Sequence, residues 1–358
     1  MTQLPQTAIQ KMLGSRYPII QTAMGWVATP ELVAGTCNAG GIGFLAAGVM
    51  KAEEVGPAID KVRSMTSAPF GVNFHMFQPG AAQIVETLID RKVAAVSFGR
   101  GPDKKMIARF KDAGIICIPT VGAVKHAKKM VELGVDMVVV QGGEGGGHTG
   151  STASTILLPQ VLDAVKVPVV AAGGFADGRG LAAALAYGAH GIAMGTRFLM
   201  TKESPVPQQT KERYLKASVD DIFVTAKLDG LPQRMIRNAF TARLEKSTGI
   251  GMLYNALSSA WKLKQLTGAS VGDLLKSARD MGHGSDAPFS QSLMAAIAPV
   301  YIQRATVEGK PDEGVMATGL VAGRLTDLPS CEELIQRIVR EAEERLDALI
   351  AMVQTGHN

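Results

Sequence analysis

The chain has 358 residues, 46% hydrophobic and 19% charged, with a formal net charge of +5. This excludes a disordered chain and allows one elaborated α/β domain or a large domain with a smaller companion. Lysine and arginine occur in no run longer than a pair, which argues against a nucleic-acid surface and suits an anionic small molecule.

The amino-terminal MTQLPQTAIQKMLG has no long apolar segment, and no stretch reaches the length of a membrane span, so neither a secretory signal nor a membrane partner is expected. Cys37, Cys117 and Cys331 lie far apart with no CxxC spacing, as expected for buried free thiols in a reducing cytoplasm. Strands are predicted at 18–24, 42–47, 69–75, 93–98, 115–121, 137–141, 167–175 and 191–198. Helices are predicted between them, the first beginning at Pro30 with Thr29 as its cap. The strands are apolar without alternation, as parallel strands buried on both faces should be. Eight βα repeats point to α/β architecture of the (β/α)8 TIM-barrel type. The breaker cluster Lys202-Glu203-Ser204-Pro205-Val206-Pro207 ends the pattern. Residues 201–311 read as a smaller, mostly helical domain, and 1–200 with 312–358 as the barrel. The last helix, 331–353, repeats apolar residues at Leu334, Ile338, Ala342, Leu346 and Ile350, which places that face on the barrel wall.

The most unusual stretch follows the sixth strand. Six of the nine residues after Gln141 are glycine, and they surround Glu144 and His148. So many glycines are needed where backbone must approach a ligand closely or adopt positive φ. A flat cofactor ring against this loop, with His148 over it, is the reading favoured over a flexible loop with a surface histidine, because the loop follows an apolar strand and is not diluted with Ser, Lys or Pro. Glu144 either orients the loop or the histidine, or is a solvated acid. In a barrel the active site gathers at the carboxyl ends of the strands. There lie Gln21-Thr22-Ala23-Met24-Gly25-Trp26, Asn73, His75, Pro119-Thr120, Gly173-Gly174 and Met194-Gly195-Thr196-Arg197. The glycines after the seventh and eighth strands suit a phosphate held by backbone N–H groups. His75 and His283 are further pocket candidates, and Met24 and Trp26 serve equally as wall residues or substrate contacts. His126 reads as a solvated helix residue, His190 as a residue of the barrel bottom, and His357 as part of the tail. No HxxxH, HExxH, P-loop or GxSxG pattern occurs, so no metal site is expected.

Three phrases, 141–148, 172–180 and 194–198, together resemble the nitronate monooxygenase (2-nitropropane dioxygenase-like) superfamily. Its members are FMN-dependent barrels with a small second domain, and they include enoyl reductases. Residues 21–28, 141–150, 281–284 and 328–335 resemble most closely a branch of flavin-dependent CoA-thioester dehydrogenases or reductases of bacterial steroid-ring degradation. The resemblance implies FMN held by Thr22, Ala23, Met24, Asn73, Gln141, Gly146, Gly147, Ala172, Gly173, Gly174, Met194, Gly195 and Thr196. It implies His148 as catalytic acid or base, exchanging a proton beside an electron-withdrawing group while flavin N5 exchanges a hydride. Trp26, His75 and His283, by their positions at strand ends and in the second domain, are the candidate substrate contacts. The resemblance implies an acyl-CoA thioester as substrate. NAD(P)H or O2 is the candidate co-substrate, and the oligomeric state is left open, with a homo-oligomer allowed. Oxidation of alkyl nitronates is the alternative. Some nitronate monooxygenases carry a lysine at the end of the fifth strand, where this chain has Ile118-Pro119-Thr120. A non-redox phosphate-binding barrel is the further alternative, and it would be colourless.

Overall fold

An apolar chain that alternates β-branched runs with amphipathic helices buries both kinds of element by stacking helices on a parallel sheet. The computed structural model describes residues 3–76, 78–99, 103–247 and 289–355. After α1 (Ala8–Leu13) come β1 (Ile19–Gln21), α2 (Pro30–Asn38), β2 (Ile42–Ala46), α3 (Ala52–Met65), β3 (Gly71–His75), α4 (Ala81–Asp90), β4 (Ala95–Gly99) and α5 (Lys104–Asp112). There follow β5 (Ile116–Cys117), β6 (Thr120–Val121), α6 (Val124–Glu132), β7 (Val138–Gln141), β8 (Gly147–His148), α7 (Ser154–Ala164), β9 (Val169–Ala172), α8 (Gly178–Ala186), β10 (Ile192–Met194) and α9 (Thr196–Leu199). The remainder is α10 (Gln208–Leu215), β11 (Ile222–Thr225), β12 (Gln233–Ile236), α11 (Ala239–Lys246), α12 (Phe289–Thr306) and α13 (Cys331–Thr355).

The chain divides into two compact units: 1–145 with 150–205 and 326–358, and 146–149 with 206–325. The first contains a strongly curled nine-stranded parallel sheet in the order β5-β4-β3-β2-β1-β10-β9-β7-β6. The fifth predicted strand, 115–121, is split in two. Pro119 has no N–H to give to a ladder, so pairing is interrupted there. Its halves lie at opposite ends of the strand order, yet the backbone between them bonds to both sides. The Ile118 N–H donates to Val96 O at 2.8 Å, and Pro119 O accepts from Val139 N–H at 2.9 Å. Ile20, Ile42, Phe44, Ala95, Ile118, Val139, Val170 and Ala193 form one buried cluster inside the sheet, joined by Ile9 and Leu13 of α1. Helix α1 lies in a segment for which no element was predicted.

Helix starts follow local chemistry only in part. Asp103 and Asp177 cap α5 and α8 by accepting from Met106 N–H at 2.7 Å and Gly180 N–H at 3.1 Å. Thr29 occupies the cap position of α2, but its hydroxyl makes no cap bond and is buried without a partner. On α13, Leu334, Ile338 and Ala342 are buried as the spacing predicts, whereas Ile350 is 45% exposed. The covered half of α13 packs on α8 and α2.

In the second unit, β8, β12 and β11 form a three-stranded antiparallel sheet. The mostly helical reading of 201–311 omitted this sheet because its strands are short and one of them lies inside the glycine loop. Leu228, Met235, Phe240, Leu244, Ile297, Tyr301 and Val315 form its core. The Phe240 and Tyr301 rings pack 4.4 Å apart, and the buried Tyr214 hydroxyl donates to Ala317 O at 2.8 Å. Residues 248–288, with Trp261 and His283, lie outside the described residues. Among the described residues no helix is long and apolar enough to cross a membrane.

The α8–α13 contact predicts a contrast between two glycines. A Cβ on Gly178 would stand 2.3 Å from Glu341 Cβ, whereas one on Gly56, within α3, would meet nothing closer than 3.7 Å. Gly178→Ala is expected to lower stability by about 1–3 kcal/mol by overpacking. Gly56→Ala is expected to raise it by about 0.5–1 kcal/mol through the unfolded chain's lost freedom. Thermal unfolding of the two variants checks both signs.

Candidate active site

Parallel pairing sets the carboxyl ends of the first unit's strands side by side. Gln21 of β1 pairs with Met194 of β10, and Gln141 of β7 pairs with Ala172 of β9. Beyond those strands the Thr22 N–H donates to Met194 O at 3.1 Å, and the Gly142 N–H to Ala172 O at 2.9 Å. Met194 and Ala172 are buried and contribute backbone, while Thr22, Ala23, Met24, Asn73, Gln141 and Gly173 are half-buried. A Cβ on Gly195 would stand 3.1 Å from Thr22 Oγ1 and 3.4 Å from Met24 Sδ. Gly173 and Gly174 have φ of +94° and +83°, in the left-handed region. Asn73 donates from Nδ2 to Ser97 O at 3.2 Å. Gln21 donates to Thr22 O and Phe44 O, and its Oε1 is buried without a partner. Glycine backbone, neutral amides and small side chains on one strand edge fit a flat polar ring and its phosphate.

Glu144 has a defined partner in the same unit. Its carboxylate accepts from Ser154 N–H at 2.9 Å and Ser154 Oγ at 2.8 Å, at the start of α7. It therefore orients the glycine loop, and the favourable position of an anion at a helix amino end supports it there. Gly142 is required beneath this contact, since a Cβ would stand 2.0 Å from Ser154 Oγ.

Gly146, Gly147 and His148 belong to the second unit. Gly147 and His148 pair antiparallel with Arg234 and Gln233. His148 Nε2 lies 2.7 Å from Asp229 Oδ2, with the imidazole side chain 56% exposed and the carboxylate side chain 14% exposed. Leu231 N–H donates to Asp229 Oδ1 at 3.1 Å, and Gln233 Nε2 to Oδ2 at 2.5 Å. Burial raises the Asp229 carboxyl. The bond and charge of His148, with the Leu231 and Gln233 bonds, outweigh that and hold it below the usual carboxylate range. Asp229 and Gln233 were not among the candidates drawn from the sequence. The available signal was the Asp229-Gly230 turn between two short β-runs, which marks a hairpin.

Comparison with known proteins now identifies the family. The nitronate monooxygenase family model matches residues 6–88 and 76–341. The chain belongs to the nitronate monooxygenase family. It is 48% identical over 347 residues to the (3aS,4S,5R,7aS)-5-hydroxy-7a-methyl-1-oxo-octahydro-1H-indene-4-carboxyl-CoA dehydrogenase of Rhodococcus jostii, covering 97% of this chain and 98% of that one. It is 46% identical over 352 residues to the dehydrogenase of the same name from Mycobacterium tuberculosis, covering 98% and 99%. Among solved structures, FabK from Thermotoga maritima matches with a TM-score of 0.79 and 32% identity over 98% of this chain and all of that one. The protein is thus a flavin-dependent oxidoreductase and a homologue of CoA-thioester dehydrogenases.

Other candidates sort by surroundings. His75 ends β3, and its ring lies against Gly48, where a Cβ would come within 2.8 Å of Cδ2. Trp26 is half-buried with φ of +59°, unusual for a bulky residue. His126 is exposed on α6. The described cysteines are buried, and burial pushes the Cys37 thiol up to about 12 despite the bond from Gly43 N–H. Among the described residues no group of side chains suits a metal ion.

Arg197, in the phrase after β10, is a structural anchor. Its side chain is 3% exposed and donates to Asp327 Oδ1 at 2.9 Å, and Arg337 binds Oδ2 at 2.6 Å. Burial raises the Asp327 carboxyl, but the two arginines outweigh it and hold it below the usual range. A depressed carboxyl contributes stability above its unfolded pKa of about 4, and that contribution is lost as pH falls through the folded value. Asp327→Asn leaves the Arg197 charge without its carboxylate, so a loss of about 1–3 kcal/mol is expected at neutral pH, discounted for the half-exposed acid. Denaturant unfolding at successive pH values should show the difference from wild type shrinking below about pH 4.

Proposed function

We propose that this chain is an FMN-dependent dehydrogenase of a carboxyl-CoA thioester carried on a reduced steroid-ring fragment. The single observation that carries the substrate class is the full-length match to two such dehydrogenases at 48% and 46% identity. In this reading the curled sheet is a (β/α)8 barrel in which 116–121 counts as one strand. Residues 1–200 with 312–358 hold FMN, and 201–311 binds the CoA portion. The strand-edge glycines 173, 174 and 195 support a mononucleotide, because one phosphate suffices to occupy such N–H groups.

When bound, FMN supplies the two-electron acceptor for a hydride. Gly173, Gly174, Gly195 and Thr196 hold its phosphate end, and Thr22, Ala23, Met24, Asn73 and Gln141 line its ring. Ala172 and Met194 end the strands that carry these residues. Gly146 and Gly147 let the chain reach His148 without side-chain bulk.

The relatives' named substrate bears a hydroxyl on the ring carbon next to the one carrying the thioester. The carbon beside the electron-withdrawing thioester carbonyl loses a proton, and the adjacent carbon loses a hydride. His148 takes that proton, as an imidazole working near neutral pH can. Trp26 and His75 contact the ring system. His283 has the same proposed role, although it lies outside the described residues.

The purified chain is expected to show flavin absorbance and to bleach when mixed anaerobically with a saturated bicyclic hydroxyacyl-CoA. Reoxidation by NAD(P)+ or by O2 then identifies the acceptor. A protein that stays colourless after added FMN overturns the cofactor assignment. Bleaching by a nitronate alone, with fast recovery in oxygen, moves the substrate to that class despite Thr120. His148→Ala should keep its flavin spectrum and lose turnover by about 10²–10⁴-fold, the usual range for a general base.

A further inference from the structure

Gln21 is the one polar residue of β1, and it is fully buried. Ile20, beside it, faces the cluster inside the sheet, so Gln21 faces the helices on the other side. Room for its amide comes from Gly43, its partner across the ladder, where a Cβ would stand 3.0 Å from Gln21 Oε1 and 2.8 Å from Val33 Cα of α2. Gln21 Nε2 donates to Thr22 O at 2.5 Å and to Phe44 O at 3.4 Å. Oε1 is buried without a partner. Turning the amide over would set its oxygen against two carbonyls, so its orientation is fixed. A buried amide oxygen left unpaired is destabilising, and what the side chain gives in return is its hold on Thr22 O.

That hold sets the next peptide plane. In a trans peptide, as here, the C=O and N–H point opposite ways. With Thr22 O turned to the helix side, the Ala23 N–H points to the inner face, where the Ala23 side chain packs against the inner cluster. Ala23 is half-buried, and among the described residues its N–H has no acceptor. The rest of the loop is also held. Thr22 N–H donates to Met194 O, Met24 O accepts from Val27 N–H at 3.1 Å and Ala28 N–H at 2.9 Å, and Ala28 O accepts from Ala46 N–H at 3.1 Å. Within that turn Trp26 keeps a φ of +59°, which a bulky residue adopts only where its surroundings impose it. The loop is therefore shaped before any cofactor arrives.

We propose that Gln21 is a positioning residue of the flavin site: its amide holds the Thr22 carbonyl on the helix side, so that the Ala23 N–H is presented as a donor to an acceptor atom of the flavin ring. The inference rests on the reading of Thr22, Ala23 and Met24 as flavin contacts. Gln21 itself touches no cofactor and acts through the Thr22–Ala23 peptide. A donor already oriented loses no freedom when the ring binds, and a hydrogen bond to the ring favours its electron-rich reduced state. Every residue involved lies in the first unit.

Binding and redox readouts on the full-length chain test this apart from turnover. Gln21→Met keeps the side chain's length and loses its donor. It should weaken FMN binding to the flavin-free chain, followed by flavin fluorescence, about tenfold, the scale of one lost hydrogen bond. It should also lower the midpoint potential of the bound flavin. Val33→Ala removes fully buried bulk behind the same amide and leaves the amide in place. It should lower thermal stability by opening a cavity, with FMN affinity within about threefold and the potential unchanged. A Gln21→Met chain that binds FMN as the unaltered one does overturns the proposal, and so does Val33→Ala weakening FMN equally. Should Gln21→Met not fold, the unaltered chain decides. Under nitrogen-15 alanine labelling, the Ala23 signal, identified by its loss in Ala23→Gly, should move and gain exchange protection when FMN is added. An Ala23 signal that does neither overturns the proposal. An unaltered chain that binds no FMN is a different failure: it removes the flavin reading itself, and this proposal with it.

Discussion

Parallel hydrogen bonding is the constraint on which the rest of this molecule depends. It directs each strand of the first unit the same way, so the irregular residues after β1, β7, β9 and β10 emerge on one edge. The pairing of Gln21 with Met194 and of Gln141 with Ala172 sets chemistry from distant parts of the chain at neighbouring positions. Glycines at 173 and 195 then leave backbone accessible where any side chain would crowd it. Shape and N–H groups at the edge come from the ladder, not from charged residues. This suits a cofactor whose binding is mostly backbone-directed.

The glycine loop serves two purposes that its composition does not separate. Its first part is tied down by Glu144 on Ser154 and belongs to the first unit. Its second part joins a small antiparallel sheet and carries His148 into contact with Asp229. The chain crosses between compact units at Gly145–Gly146 and returns at Thr149–Gly150.

Much of the first unit was legible because strand and helix periods differ and because strands buried on both faces lack alternation. The strand-edge candidates were legible because barrels place irregular residues at that edge. Three features were hidden for physical reasons. The split at Pro119 depends on which neighbour each half bonds, and residues 118 and 119 bond to both sides. Strand β8 is two residues long, too short for any period to register. Asp229 lies 81 residues from His148, and only the fold of the second unit joins them. Thr29 is the converse case, with the right residue at a cap position and no cap bond made.

The pairing of β1 also bears on the order of assembly. Ile20 meets Ile42, a near neighbour along the chain, whereas Ile19 meets Ile192 on the other side. The seam between β1 and β10 closes over a separation of 172 residues, as the Thr22–Met194 bond shows. A contact of that span forms late, because its loop must be closed before the contact adds stability. During synthesis β1 therefore presents an unpaired edge until most of the first unit has emerged.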